Sequence, residues 1–298
     1  MSAPPTDKIT FSRRERVAGY VALTKPRIIE LLLVTTVPTM FVAERSVPSV
    51  WLMVATVVGG TLAAGGANAV NMVIDRDIDG LMERTMHRPL VRGVMSPRAA
   101  LTFAVVIEVV AFAWLFTTVN PLSALLAVSA TFFYVFVYTL WLKRTTTQNI
   151  VIGGAAGAVP VLVGWSAVTN SLGLAPVVLF LVIFFWTPPH FWALAIRYRE
   201  DYSAASVPML PAVATLAATA RKITLYTVML VGTTLVFAPV ADMGAVYVAA
   251  ALILGALFGV LALAVQRDPT ERAAMRLFSY SITYVTLLFA AMIVDVLV

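Results

Sequence analysis

The chain predicts an all-α, polytopic membrane protein of nine transmembrane helices, and three observations underlie that expectation. Hydrophobic residues make up 60% of the 298 and charged residues only 12%; with a mean hydropathy of +0.92, this lies far outside the range of soluble domains. Apolar runs long enough to cross a bilayer, about 17 to 25 residues, recur nine times. Lys and Arg, with Arg45 as the exception, fall in the N-terminal segment or in every second connection, the asymmetry expected of a positive-inside topology.

Taken in order, the first 27 residues are polar and carry Lys8, Arg13, Arg14, Arg16, Lys25 and Arg27. They do not resemble a cleaved signal peptide. They suggest a flexible cytoplasmic tail over residues 1–19, followed by one transmembrane domain over 20–298. Spans are expected at 28–44, 50–74, 98–117, 121–142, 149–168, 173–196, 222–241, 243–265 and 276–297. The connections bearing Arg84, Arg88 and Arg92, then Lys143 and Arg144, then Arg197 and Arg199, and finally Arg267 and Arg272 lie on the side of the tail. The opposite face holds only Glu44, Arg45, Asp242 and Asp295. In a cell (inner or plasma) membrane this puts the N-terminus in the cytoplasm and the C-terminus across from it. The same bias accounts for the net charge of +6, so a nucleic-acid partner is not needed to explain it. Cysteine is absent, which excludes disulfides, thiolate metal sites and covalent haem attachment.

Against this background the run Asn71-Met-Val-Ile-Asp75-Arg-Asp77-Ile-Asp79 stands out, because it places carboxylates at the end of a long apolar stretch. On a helix Asn71, Asp75 and Asp79 share one face with about 6 Å of rise between neighbours. Facing carboxylates at a membrane edge suit a hard divalent cation such as Mg²⁺. The plainer reading is a solvated helix end whose acids pair with Arg76 and Arg84. A second polar group begins inside the sixth span, with His190 after Pro188 and Pro189, and continues beyond it with Arg197, Glu200, Asp201 and Tyr202. The paired prolines predict a kink and a nearby cavity. His190 suits iron ligation, proton transfer or carbonyl capping, whereas His87 reads as solvated. Arg84, Arg88 and Arg92 suit phosphate oxygens. Glu108, mid-span, is either functional or protonated and bonded to a neighbouring helix. Gly59, Gly60, Gly65, Gly66, Gly153, Gly154 and Gly157 read as helix-packing positions, and no phosphate loop, catalytic triad or dinucleotide fingerprint is present.

Several of these strings, in the same order, resemble the UbiA superfamily of intramembrane prenyltransferases. The first acidic motif of that superfamily, NxxxDxxxD, reads Asn71, Asp75, Asp79 here. The resemblance extends through Leu23-Thr24-Lys25-Pro26-Arg27, Asp79-Gly-Leu-Met82-Glu-Arg84-Thr85 with Arg88-Pro89-Leu90, Tyr138-Thr139, Leu142-Lys143-Arg144-Thr145, Asn149-Ile-Val-Ile-Gly153-Gly154, Trp186-Thr-Pro-Pro-His190-Phe-Trp192 and Val207-Pro208-Met209-Leu210-Pro211. It is strongest to the branch that farnesylates haem B, and it implies nine helices around a cavity with the diphosphate site beneath the cytoplasmic loops. It also implies Mg²⁺ on Asn71, Asp75 and Asp79, with Lys25, Arg27, Arg84, Arg88, Lys143 and Arg144 around the diphosphate. Farnesyl transfer to a haem B vinyl group, with addition of water, would give haem O and diphosphate. His190 would place that water or ligate iron, Asp201 and Tyr202 would complete the second site, and Arg197 would contact diphosphate or a haem propionate. A haem A synthase or terminal oxidase is the partner expected by analogy.

The chain departs from the superfamily at the second site, where many relatives carry two acids and this sequence has Arg197 and Asp201. Gly is also common in the family where Ser206 stands. Three alternatives remain in view: a UbiA-type enzyme acting on an aromatic acceptor such as 4-hydroxybenzoate, a proton-coupled transporter, and an assembly subunit of a respiratory oxidase.

Overall fold

Prolines and short polar side chains divide the apolar sequence into helices. The computed structural model describes residues 11–298, except the side chains of 27, 28, 31 and 32, and among the described residues there is no strand. Helix α1 (Arg13–Thr24) opens with a reciprocal cap: the Glu15 amide donates to Ser12 Oγ at 3.2 Å and the Ser12 amide to the Glu15 carboxylate at 2.8 Å. Residues 13–19, expected to belong to a flexible tail, are therefore the first turns of a helix. Lys8 and the side chain of Arg27 lie outside the described residues. Lys25, in the left-handed region at φ 53°, turns the chain into α2 (Pro26–Glu44). Pro97 and Pro121 likewise start α5 (Pro97–Thr118) and α6 (Pro121–Phe132), each behind a capping Ser96 or Asn120.

The remaining long helices are α3 (Val50–Ile74), α8 (Asn149–Thr169), α9 (Leu174–Arg197), α12 (Leu216–Val240), α13 (Ala245–Arg267) and α14 (Glu271–Leu297). Short helices follow α3 (α4, Arg76–Asp79), precede α8 (α7, Lys143–Thr145) and cross the end of α9 (α10, Arg199–Ala204; α11, Leu210–Val213). Eight helices of the described chain are long and apolar enough to span a membrane, counting 121–145 as one, and α2 adds the apolar stretch Leu33–Glu44. These helices overlap all nine expected runs, although α12 and α14 begin six and five residues before the apolar stretches that predicted them. Helix α9 continues through Pro188 and Pro189 as one element, so the paired prolines do not break it. Ser206, where the family often has Gly, has φ 51°. Glycine enters that left-handed conformation freely, whereas a side chain there costs about 1 kcal/mol.

Two groups of helices share the bundle. Helices α2, α3, α5, α6 and α8 pack as one set, while α9, α12, α13 and α14 form the other, joined to the first through α8 against α9 and α2 against α14. The second set encloses the aromatic core, with Phe237, Tyr247, Phe258, Tyr284 and Phe289 fully buried. Its hydroxyls are satisfied: Tyr247 donates to the Thr234 carbonyl at 2.8 Å, and Tyr284 bonds Thr234 Oγ1 at 2.8 Å. Outward-facing side chains such as Val109, Val228 and Ile253 are apolar and exposed, as a lipid-facing surface requires. At the end remote from the acidic run, Arg45 bonds the Ala241 and Asp242 carbonyls, and Asp295 accepts from the Gly244 and Tyr247 amides. The few charges on that face thus tie connections together.

Helix α8 meets α2 backbone to side-chain-free backbone at Gly164, where an added Cβ would stand 2.5 Å from the Thr36 carbonyl oxygen. A rigid helical carbonyl cannot yield as a side-chain tip can. Gly164→Val is expected to destabilise the bundle by about 1–3 kcal/mol, measured as a lower thermal midpoint in detergent. An unchanged midpoint would show that α2 and α8 separate freely.

Candidate active site

The acidic run keeps its helical register past the end of α3. The Asp75 amide donates to the Asn71 carbonyl, and the Asp79 amide to the Asp75 carbonyl, both at 2.9 Å. Asn71, Asp75 and Asp79 therefore share a face as the spacing required, and all three are buried. Each is met by a cation: Lys25 Nζ donates to Asn71 Oδ1 at 2.8 Å, Lys143 Nζ to Asp75 Oδ2 at 2.5 Å, and Arg88 Nη1 to both Asp79 oxygens at 2.6 and 2.7 Å. Asp77 points outward and forms a two-point pair with Arg144 at 2.7 and 2.8 Å. That guanidinium holds the Asp77 carboxyl down at about 2, below the usual carboxylate range.

Asp75 is fully buried, yet its Oδ1 has no hydrogen-bond partner. The Arg144 guanidinium approaches it only to 3.7 Å. A buried, unpartnered carboxylate oxygen is costly in apolar surroundings, and this one is suited to ligating a cation. Among the described residues no three His, Cys, Asp or Glu side chains cluster as a self-sufficient metal site. The donor set is two aspartates and an amide, which fits a divalent ion completed by phosphate oxygens and water. Three cations, Lys25, Arg88 and Lys143, face the two carboxylates and the amide of the ring, while Arg144 pairs with Asp77 outside it. Burial, with Arg88 and Lys143 adding repulsion, pushes the Lys25 ammonium down to about 7. An anionic ligand bound beside the three cations would offset the repulsion among them.

An apolar cavity of about 300 Å³ opens beneath this ring, within the range of small-molecule sites. Its wall along α3 runs from Asn68, one turn below Asn71, to Thr56, about 18 Å of helix. A π-helix (Phe133–Leu142) supplies the facing wall and the link to the ring. Its wider turn points Tyr134 and Tyr138 at the cavity and Thr139 at the acids, where Thr139 Oγ1 accepts from Asn71 Nδ2 at 3.0 Å and donates to the Tyr134 carbonyl at 2.8 Å. Thr139 was not singled out in the sequence as a site residue, because a π-helix has no apolar-periodicity signature. Two glycines read as packing positions belong to the cavity instead: an added Cβ at Gly60 or Gly157 would meet no atom within 4 Å. Gly59, Gly66, Gly153 and Gly154 do sit against side chains.

The second polar group is divided. The Arg84 amide donates to Asp201 Oδ2 at 3.3 Å, next to the buried Tyr202, and this contact joins the loop after α4 to α10. Arg197 turns away to Glu271 at 3.4 Å, so Arg197 and Asp201 do not form a counterpart of the Asp75 and Asp79 pair. His190 lies in neither place: it packs between Trp186 and Phe278 and bonds Ser281 of α14. Thr187 and Phe191 are the α9 residues on the cavity wall. Glu108 lies between helices, accepting from Thr131 Oγ1 at 3.1 Å and resting on Gly66. His87, Arg92 and Glu200 are exposed.

The profile of the UbiA prenyltransferase family matches residues 32–291. The sequence is 55% identical over 289 residues to a protein named protoheme IX farnesyltransferase in Frankia casuarinae, covering 95% of this chain and 99% of that one. It is 53% identical over 286 residues to a protein of the same name in Streptomyces avermitilis, covering 94% of each. Among solved structures the fold is similar to that of a digeranylgeranylglyceryl phosphate synthase, with a TM-score of 0.77 at 16% identity over 95% of this chain and 99% of that one. It is also similar to a UbiA homologue from Archaeoglobus fulgidus bound to GPP and Mg²⁺, with a TM-score of 0.66 at 15% identity over 92% and 99%.

Proposed function

The chain belongs to the UbiA prenyltransferase family, and on that premise we propose that it is a membrane protoheme IX farnesyltransferase, joining the farnesyl group of farnesyl diphosphate to a vinyl group of haem B. The observation that carries the reading is the cation-rich acidic ring set directly over an apolar cavity. A prenyl diphosphate has the same two parts in the same order, a charged head and an apolar chain.

In this reading Asn71, Asp75 and Asp79 hold Mg²⁺, with Asp75 Oδ1 as the oxygen free to bind it. The metal, when bound, offsets negative charge on the departing diphosphate. Lys25, Arg88 and Lys143, already fixed on the acids and Asn71, turn toward the same oxygens and stabilise charge as the C1–O bond breaks. Arg84 and Arg144 stand at the rim. The electron pair of that bond leaves with diphosphate, and the vinyl π pair then forms the new bond to farnesyl C1. One water adds its oxygen to the resulting cation beside the porphyrin and gives up a proton, leaving a hydroxyethylfarnesyl group. An allylic cation survives only where bulk water is kept out, and the cavity wall of Ala, Gly, Leu, Val and Tyr side chains meets that need. The distribution of Lys and Arg supports a cytoplasmic position for the ring.

Incubating the purified protein with haem B and farnesyl diphosphate, with and without Mg²⁺, tests the reading by mass spectrometry. The expected product is haem gaining farnesyl plus water, only with Mg²⁺. Prenylated 4-hydroxybenzoate with no haem product would move the protein to another branch of the family.

A further inference from the structure

Asn68 carries the one side-chain amide on the cavity wall among the described residues. On α3 that wall is formed by Thr56, Gly60, Ala63, Ala64, Ala67 and Asn68, a stripe at helical spacing that runs on to Asn71, about 4.5 Å further along. Asn68 is only 5% exposed. Its Nδ2 donates to the Thr24 backbone carbonyl at 3.1 Å, and because a carbonyl only accepts, this contact fixes which end of the amide is nitrogen. Oδ1 is turned away from Thr24 and has no hydrogen-bond partner among the described residues, yet it is not one of the enclosed, unpartnered polar atoms. The oxygen is therefore open to the cavity that Asn68 lines. The residue after Thr24, Lys25, bonds Asn71, so two consecutive residues hold both asparagines in place on one stripe.

Fastening α1 to α3 uses only the nitrogen end of this side chain. A carbonyl oxygen left without a partner in an apolar wall is costly, and positive charge facing it offsets that cost. The chemistry proposed above creates such a charge at this depth. With diphosphate on the acidic ring, the first carbons of the prenyl chain enter the cavity one turn below Asn71, level with Asn68. As the C1–O bond breaks, its electron pair leaves with diphosphate, and positive charge spreads over C1 and C3 of the chain. A carbonyl dipole already aimed at that charge stabilises it without reorganising, and the effect is stronger in a dry cavity of low dielectric constant than in water. Asn68 forms no covalent bond and exchanges no proton in this step.

We infer that Asn68 is a further catalytic residue, whose Oδ1 stabilises the allylic cation of the prenyl chain. This rests on the ring holding diphosphate and the cavity holding the chain, and it is independent of the acceptor. The test is the affinity of the purified full-length protein, with Mg²⁺, for two unreactive analogues of farnesyl diphosphate, measured by calorimetry. One is the thiodiphosphate, whose chain is uncharged; the other is the 3-aza-2,3-dihydro analogue, in which a protonated nitrogen replaces C3. Asn68→Leu is expected to weaken the aza analogue by about 10–100-fold and the thiodiphosphate by less than about 3-fold. Asn68→Ala, which adds no bulk, is expected to do the same. Asn68→Asp keeps an acceptor oxygen but loses the bond to Thr24, and it is expected to retain tight binding of the aza analogue. A fastening role alone would weaken the two analogues equally and make Asn68→Asp behave as Asn68→Leu does. Equal weakening, or an unchanged preference in the Leu and Ala variants, overturns the inference while the prenyl diphosphate reading stands. If the wild type binds neither analogue, that reading falls and the inference with it. If the affinities behave as stated but haem is not farnesylated, Asn68 keeps its role and the haem reading falls.

Discussion

Asp75→Asn is expected to lower prenyl transfer by about 10²–10³-fold while the protein still inserts in the membrane. The substitution keeps the shape of the side chain and removes the charge on the fully buried oxygen pair that contacts Lys143 and Asn71. It also converts the one unpartnered acidic oxygen of the ring into part of a neutral amide, which binds a hard cation less well. Asp77→Asn makes the same chemical change two residues away, on an exposed side chain paired with Arg144, and should cost far less, because exposed pairs contribute little. Turnover of both variants across a Mg²⁺ titration, with thermal midpoints measured with and without the ion, provides the comparison. Equal losses in the two would indicate that overall charge, not the buried ring, is what matters.

Gly60→Leu is expected to change the prenyl chain accepted. Gly60 lies eleven residues before Asn71 on α3, about 16 Å below the acids, and a side chain there enters open cavity space. A leucine would occupy the room for the last isoprene unit while leaving the upper cavity intact. Farnesyl diphosphate should lose at least about 100-fold in kcat/KM relative to geranyl diphosphate, read from products of an equimolar mixture. Gly59→Leu provides the contrast: its Cβ would stand 2.4 Å from Leu115, so it should destabilise the α3/α5 contact without changing chain preference. If farnesyl transfer by Gly60→Leu is unchanged, the chain does not run down this cavity.

Legibility in the sequence followed energetic cost. The nine apolar runs were readable because the bilayer dictates their length, and helix starts at Pro26, Pro97 and Pro121 were marked by local chemistry. The acidic face was readable because buried carboxylates are too costly to lie in an apolar run without partners. The helical register that joins Asn71 to Asp79 is local, so spacing alone sufficed. The cations beside those acids were legible as types suited to phosphate, but their pairing was not. Lys143 meets Asp75 across 68 residues of sequence, and Arg197, one turn before Asp201, turns to Glu271 instead.

By itself the sequence determined the helical class, the places of the apolar runs, the bias of positive charge and the shared helical face of Asn71, Asp75 and Asp79, all properties that arise from composition or from intervals of a few residues. The tertiary structure alone decided which equivalent-looking residues do different work. Adjacent Gly59 and Gly60 are indistinguishable in the chain, yet one meets Leu115 and the other opens the cavity. His190 follows two prolines that suggested a kink and a cavity, yet its side-chain partner, Ser281, comes from α14. The physical reason is that a helix fixes only which residues share a face, whereas the neighbour each face meets is set by packing among helices far apart in sequence.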